Sequence, residues 1–142
     1  GPAALHDPAF YYEHNAYPVR SVKAAGATLI AGSDAPVDTR DPRPFVNMQM
    51  AVTRRFPGQP ALNPSEAISI AEVLDAYTIN GARSLGRADE MGSLEAGKSA
   101  DFILLDQDIL ALAESGDADR IGKTRVLGTW FKGHRVYNGE SR

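Results

Sequence analysis

One carboxylate, that of Asp34, stands where a short apolar run ends and the chain turns. The run at residues 27–31 contains β-branched residues and lies between two glycines, which predicts a buried strand at residues 28–31. Gly32 and Pro36 then end the regular backbone. Because α/β folds bind ligands at the carboxyl ends of their strands, Asp34 is a candidate catalytic or metal-binding residue. The alternative is that Asp34 only caps a turn or the next helix.

The histidines and the loop acids that follow Asp34 are further candidates for a site. The histidines are His6, His14 and His134. A metal ion needs several converging ligands, and no such partners accompany these residues in the sequence, so we expect surface or packing roles for all three. Asp38 and Asp41 can pair with Asp34 as a carboxylate site. Acids beside prolines commonly form solvated turns, and we expect that role for both.

Other polar and aromatic groups have both a functional and a structural interpretation. Arg54 and Arg55 can steer an anionic substrate, although we expect them to be the exposed end of a helix, near its C-terminal dipole. Tyr11 and Tyr12 can line a substrate pocket, although packing of aromatic rings against a helix is the expected role. A group of acids near one strand suggests calcium: Asp101, Asp106 and Asp108. These acids bracket the strand and lack the glycine-containing loop of calcium sites, which excludes that interpretation.

The composition is that of an ordinary globular domain and excludes several classes of protein. The chain has 142 residues, a formal net charge of −3 and no cysteine. This charge provides no attraction for nucleic acid or an anionic membrane, and disulfide and thiolate chemistry are excluded. No apolar run approaches the roughly 20 residues that cross a bilayer, and no signal peptide is visible. We therefore expect a cytoplasmic protein without nucleic-acid or membrane partners.

Hydrophobic spacing and turn residues predict a change of structural class along the chain. The predicted elements are a helix at 19–25, a strand at 28–31, a helix at 45–54, a short helix from 63 that leads into a longer one ending near 85, a strand stub and turn at 92–98, a strand at 101–106, a short helix at 109–114, and a hairpin of strands at 125–131 and 135–137. Ser69 and Glu72 have the spacing of a capping box. We expect one portion at residues 1–88 and a β-rich portion at residues 89–142.

Four short motifs occur in a fixed order: Gly-Ser-Asp-Ala-Pro-Val at 32–37, Ala-Val-Thr-Arg-Arg at 51–55, Ala-Tyr-Thr-Ile-Asn-Gly-Ala at 76–82, and Gly-Ser-Leu-Glu-Ala-Gly-Lys-Ser-Ala-Asp-Phe at 92–102. Each motif alone is weak, but their order and spacing are strong together. The series resembles the C-terminal part of metal-dependent amidohydrolases, in the branch that hydrolyses formamides and N-substituted amides. The resemblance covers about residues 17–138.

The resemblance implies an α/β fragment: the last unit of a (β/α)8 barrel plus part of a small β-sandwich. In that family the aspartate at the end of the last barrel strand is a metal ligand or proton acceptor, and Asp34 occupies its motif position. A divalent metal, with zinc the expected ion, lowers the pKa of bound water toward ~7 and polarises the amide carbonyl. A carboxylate beside the metal and the water takes the water's proton and returns it to the leaving nitrogen.

The chain departs from the family pattern in its metal ligands. The His-x-His pair of the first barrel strand and the ligands of the middle strands are missing. A (β/α)8 barrel needs at least ~200 residues, so we expect this chain to be a C-terminal fragment of the enzyme. The fragment alone is expected to hold no metal and to be inactive, whereas the intact enzyme is expected to bind a small amide. The alternative is a non-catalytic binding or structural module derived from the fold.

The predicted strand at 28–31 leads to one further expectation. A barrel strand without its parallel neighbours exposes apolar faces and an unpaired edge. We therefore expect self-association, in which another copy of the chain covers that edge.

Overall fold

A computed structural model describes residues 8–37, 40, 42–56 and 58–139. Its helices are α1 (Pro8–Asn15), α2 (Val19–Ala24), α3 (Pro44–Thr53), α4 (Ile70–Tyr77), α5 (Ile79–Ser84) and α6 (Ile109–Glu114). Its strands are β1 (Phe102–Leu105), β2 (Val126–Phe131) and β3 (His134–Asn138), and 3-10 helices cover Pro64–Glu66 and Ala118–Lys123. The described residues form a small α/β domain in which the helices largely precede an antiparallel sheet. None of the helices in these ranges is long and apolar enough to span a bilayer.

Local sequence signals account for where several helices begin. The Ser69 side chain accepts from the backbone N–H of Glu72, and the Glu72 side chain accepts from the backbone N–H of Ser69, so the predicted capping box is confirmed. Pro44 stands in the first turn of α3, where proline loses no helical hydrogen bond. Asp108 caps α6 by accepting from the N–H groups of Leu110 and Ala111, at 3.0 Å each.

The sheet has the strand order β1-β2-β3, and both pairs are antiparallel. The hairpin of β2 and β3 confirms the sequence prediction. On one face, the rings of Phe102 and Trp130 stack with centroids 4.7 Å apart, and the guanidinium of Arg135 lies 5.0 Å from the Trp130 ring. These stacked groups link all three strands.

The core lies between the helices of the two halves of the chain. The buried side chains in it are Phe45, Met48, Ile68, Ile70, Val73, Ile109, Leu112 and Ile121. The side chain of Gln49, on α3, accepts from the backbone N–H of Gly122 at 2.8 Å, which fixes α3 against the 3-10 helix Ala118–Lys123. Because residues from both predicted portions share this core, the portions at 1–88 and 89–142 pack together.

Three sequence predictions need correction. Residues 28–31 form no strand, and Ile30 is 56% exposed, because no strand in the described ranges lies beside them to complete a ladder. The long helix predicted to end near residue 85 is interrupted at Thr78, whose backbone angles are φ −128° and ψ −96°. Residues 92–98 form turns without a strand stub.

Candidate functional site

The candidate residue Asp34 lies in an exposed turn after the segment 27–31. Its φ of 52° is in the left-handed region, and its carbonyl accepts from the N–H of Val37 at 2.9 Å. Ser33 stabilises the same turn by accepting from the N–H of Ala35 at 3.2 Å. Within the described ranges, no side chain or N–H donates to the Asp34 carboxylate. These two hydrogen bonds of the turn use the Asp34 carbonyl and the Ser33 hydroxyl, and the Asp34 side chain is exposed.

Two hydrogen bonds hold the segment before Asp34 against the junction of α4 and α5. The side-chain amide of Asn80 donates to the carbonyl oxygen of Leu29 at 3.0 Å, and the N–H of Ala31 donates to the carbonyl oxygen of Ala76 at 3.0 Å. The Leu29 side chain packs against the core. The junction of α4 and α5 thus provides hydrogen-bond partners for the Leu29 carbonyl and the Ala31 N–H, as a neighbouring strand would.

The described histidines do not converge on Asp34. The Nδ1 atom of His14 lies 3.0 Å from the carbonyl oxygen of Phe10, and the two rings stack with centroids 4.2 Å apart. His134 is exposed at the start of β3. His6, Asp38 and Asp41 lie outside the described residues.

The two arginines after α3 have structural partners. Arg54 ends α3 at a φ of 57° and donates to the carbonyl oxygens of Leu62 and Ala16, at 3.1 and 3.0 Å. Arg55 forms an ion pair with Asp119. Their position at the end of α3 confirms the predicted helix end, but Arg54 is half-buried and only Arg55 is exposed as expected.

The aromatic residues of the N-terminal region are largely exposed. The exposed fraction is 50% for Tyr11 and 65% for Tyr17, so neither side chain belongs to the buried core, and packing of Tyr11 and Tyr12 against a helix stays a prediction. The side chain of Tyr12 lies outside the described atoms. The cleft between α3 and the sheet, of about 430 Å³, is lined by Phe45, Val126 and Tyr137 among others and does not include Tyr11.

The acids around β1 are engaged by backbone and basic groups. Asp101 accepts from the N–H of Lys132 at 2.7 Å, and Asp108 caps α6. Asp106 accepts from the N–H and the Nε of Arg125, at 2.8 and 2.9 Å, and these bonds lower the pKa of the Asp106 carboxyl. Each of these acids thus has a structural role.

The described residues by themselves do not fit a catalytic metal ion. No three His, Asp or Glu side chains in the described ranges are grouped so that they can hold a metal. Catalytic zinc takes three protein ligands and keeps a fourth position open. Asp34 is one carboxylate, and the described part of the chain therefore does not supply the three ligands of such a site by itself.

Sequence reasoning from single residues missed Asn80. It lies in the motif at residues 76–82, which was noted for its order in the chain and not for any contact. Its amide is oriented by Arg83, whose Nη1 donates to the Asn80 Oδ1 at 2.8 Å. The signal available was the presence of a side-chain amide in that motif, but the sequence does not show which carbonyl it contacts.

Comparison with known proteins places these observations in a family. The model of the amidohydrolase family matches residues 7–137. The chain is 38% identical over 117 residues to the N-substituted formamide deformylase of Arthrobacter pascens. The aligned segment is 82% of this chain and 20% of that protein. It is 34% identical over 91 residues to the 5-methylthioadenosine/S-adenosylhomocysteine deaminase of Moorella thermoacetica, covering 63% of this chain and 20% of the deaminase.

A solved structure shares the fold. The amidohydrolase from Thermotoga maritima aligns with a TM-score of 0.59 and 21% identity, over 85% of this chain and 26% of that one. The chain spans about a fifth of the length of the curated relatives named here.

Proposed function

The chain belongs to the amidohydrolase family, and we propose that it is the C-terminal part of a hydrolase that cleaves a C–N amide bond. The observation that carries this proposal is the family match over residues 7–137, together with relatives five times longer than the matched segment. The similarity to an N-substituted formamide deformylase favours a small formamide or N-substituted amide as the substrate.

The proposal extends to the fold of the longer protein. Residues 28–34 take the place of the last barrel strand and its loop, although residues 28–31 form no strand in this structure, and the helices up to residue 88 belong to the last unit of a (β/α)8 barrel. Residues 89–142 supply part of a small β-sandwich. The antiparallel sheet of β1, β2 and β3 supports the second assignment, and the bonds that hold residues 29 and 31 support the first.

In the full polypeptide encoded by the reading frame that contains this chain, here called the whole hydrolase, the role of Asp34 is to accept a proton. Its carboxylate is exposed, and no described residue competes for its oxygens. It takes the proton of the water that attacks the amide carbonyl and later returns that proton to the leaving nitrogen. A carboxylate in this role needs a basic oxygen at the right place, and the local bonds that fix the turn at 33–37 support the proposal.

The proposal includes a divalent metal, zinc, in the whole hydrolase, with its remaining ligands from polypeptide beyond these 142 residues. The isolated chain is then inactive and binds no catalytic zinc. It also self-associates, because the apolar surface around Ile30 lacks a cover within the described part of the chain. The protein is cytoplasmic in this proposal, and the net charge of −3 supports neither nucleic acid nor membrane as a partner.

The direct test is hydrolysis of N-substituted formamides, assayed as amine release. Two samples are compared: the 142-residue chain and the whole hydrolase. We expect turnover by the whole hydrolase and none by the isolated chain. Absence of turnover in both samples, with formamides and other small amides, would favour the non-catalytic module. Turnover by the isolated chain would contradict the proposal that the remaining metal ligands lie outside these 142 residues.

A further inference from the structure

The contact between α5 and the segment before Asp34 assigns a role to a residue outside the site itself. We propose that Asn80 is a positioning residue for Asp34. This inference rests on the proposed function of Asp34 as proton acceptor. Asn80 does not touch a reacting atom, and it acts by fixing the carbonyl group of Leu29, five residues before Asp34.

Asn80 is held in the orientation that this role requires. Its Oδ1 accepts from Arg83 at 2.8 Å, so the other end of the amide, Nδ2, faces the Leu29 carbonyl oxygen at 3.0 Å. An amide has distinct donor and acceptor ends, and a donor on one side with an acceptor on the other defines which way it points. Both Leu29 and Asn80 are half-buried, so the contact is partly shielded from competing water.

The segment 27–31 depends on the bond from Asn80 more than it would if a neighbouring strand paired with it. Residues 27–31 lack a strand partner in the described ranges. The N–H of Ala27 donates to the carbonyl oxygen of Val22 in α2 at 3.3 Å, and the bonds that join the segment to α4 and α5 are those to the Ala76 carbonyl and the Asn80 amide. The bond at Leu29 precedes the turn, and the turn itself is local, formed by Ser33 and Val37. A shift of Leu29 therefore moves the whole turn and the Asp34 carboxylate with it. Misplacement of a catalytic group by about 1 Å can cost about a hundredfold in rate.

The first measurement is amide hydrogen exchange of the whole hydrolase, read by mass spectrometry in peptides that contain Ala31. Asn80→Asp keeps the size and the contact with Arg83 but places a carboxylate oxygen against the Leu29 carbonyl oxygen. We expect the Ala31 amide to exchange at least about tenfold faster in Asn80→Asp. The matched control is Asn138→Asp, the same change of amide to acid at an exposed residue of β3. It is expected to leave Ala31 exchange unchanged.

The second measurement separates positioning from stability. In the whole hydrolase, Asn80→Asp is expected to lower kcat at least about tenfold while KM changes less than about threefold, and Asn138→Asp is expected to leave both near the parent values. If Asn80→Asp fails to fold, Arg83→Met serves instead, because it removes the donor to Asn80 Oδ1 from an exposed position. Its kcat is expected to fall about threefold, and Arg83→Lys, which keeps a donor, is expected to restore it.

The outcomes distinguish this inference from the proposed function. Faster Ala31 exchange with a fall in kcat supports the positioning role. Unchanged Ala31 exchange, or unchanged kcat in a protein where Asp34→Asn is inactive, overturns the role of Asn80 and leaves the proposed function standing. If Asp34→Asn itself leaves kcat unchanged, the proposed function fails, and the positioning role fails with it.

Discussion

The carboxylate of Glu66 accepts hydrogen bonds from both the backbone N–H and the hydroxyl of Ser21, at 2.8 and 2.5 Å. Ser21 is the third residue of α2, so its N–H is among those without a partner inside the helix. Glu66 therefore caps α2 from a position 45 residues away in the chain. Because α2 leads directly into the segment that ends at Asp34, this contact fixes the start of that segment just as Asn80 fixes its middle.

The first prediction concerns the acid sensitivity of this cap. The hydroxyl and then the N–H of Ser21 lower the pKa of Glu66 below the ordinary value of 4.5. The stabilisation that the carboxylate adds is thus complete above about pH 4.5 and is lost as the pH falls through the lower pKa of the folded state. We expect Glu66→Gln to be less stable than the parent at pH 7 and to approach it at pH 3.

Urea unfolding at both pH values measures this difference. Glu114→Gln, at the exposed end of α6, is the control and is expected to show a small difference from the parent at either pH. A stability difference for Glu66→Gln that is the same at pH 7 and pH 3 would mean that the ionised carboxylate is not what caps α2.

The second prediction uses two glycines with nearly the same backbone. Gly92 and Gly97 have φ of +95° and +93°, but a Cβ at Gly92 would lie 2.7 Å from the Ala82 Cβ, whereas a Cβ at Gly97 would have no neighbour within 4 Å. Replacement of either by alanine incurs the strain of a positive φ, about 1–2 kcal/mol. Gly92→Ala adds overpacking against α5, about 1–3 kcal/mol.

Urea unfolding of Gly92→Ala and Gly97→Ala gives the comparison, with the strain of the positive φ common to both. We expect Gly92→Ala to be the less stable variant by about 1–3 kcal/mol. Equal unfolding free energies for the two variants would show that Gly92 does not pack closely on α5.

The third prediction is self-association of the isolated chain. Ile30 is 56% exposed and lies within the segment 27–31, which has no strand beside it in the described ranges. Further large apolar side chains are exposed on β1. We expect sedimentation to show dimers or larger species at micromolar concentration, and Ile30→Lys to weaken them. Leu94→Lys, at a residue that is 73% exposed in a turn, is the control and is expected to have little effect. A well-folded parent monomer at that concentration would contradict the expectation.

Local chemistry explains how much of this fold can be predicted from sequence. The capping box of Ser69 and Glu72 and the hairpin of β2 and β3 each depend on residues close together in the chain, and both were predicted. The same holds for α6, whose bounds match the predicted 109–114. Patterns of this kind carry their own hydrogen-bond partners, so they need no knowledge of the rest of the fold.

The errors arose where a partner is distant in sequence. The apolar run at 28–31 has strand composition, but a strand forms only beside another, and in the described ranges its partners are Asn80 and Ala76 on helices. The helix break at Thr78 does not follow from the apolar spacing of residues 70–82. For the candidate site, the sequence predicts Asp34 as a candidate but not the contacts that hold it.

The fourth prediction concerns metal in the isolated chain. Asp34 is the one candidate ligand that the resemblance identifies, and the described residues contain no metal-binding group of three acids or histidines. Since zinc sites take three or four protein ligands, we expect elemental analysis of the dialysed chain to find much less than one zinc per chain. One stoichiometric zinc that a chelator removes would mean that residues outside the described ranges complete a site within this chain.

The central claim is that Asp34 accepts a proton in the whole hydrolase, and Asp34→Asn tests it most directly. Asparagine has nearly the same shape and caps a turn about as well, but it lacks the basic oxygen. Asp89→Asn, in an exposed turn after α5, is the matched control and is expected to keep the parent rate.

The decisive measurement is kcat for hydrolysis of an N-substituted formamide by the Asp34→Asn whole hydrolase, with folding and metal content checked. General acid–base groups contribute about 10²–10⁴ in rate, so we predict that kcat falls by at least about a hundredfold. A variant with normal folding, normal metal content and kcat within about threefold of the parent would contradict the account.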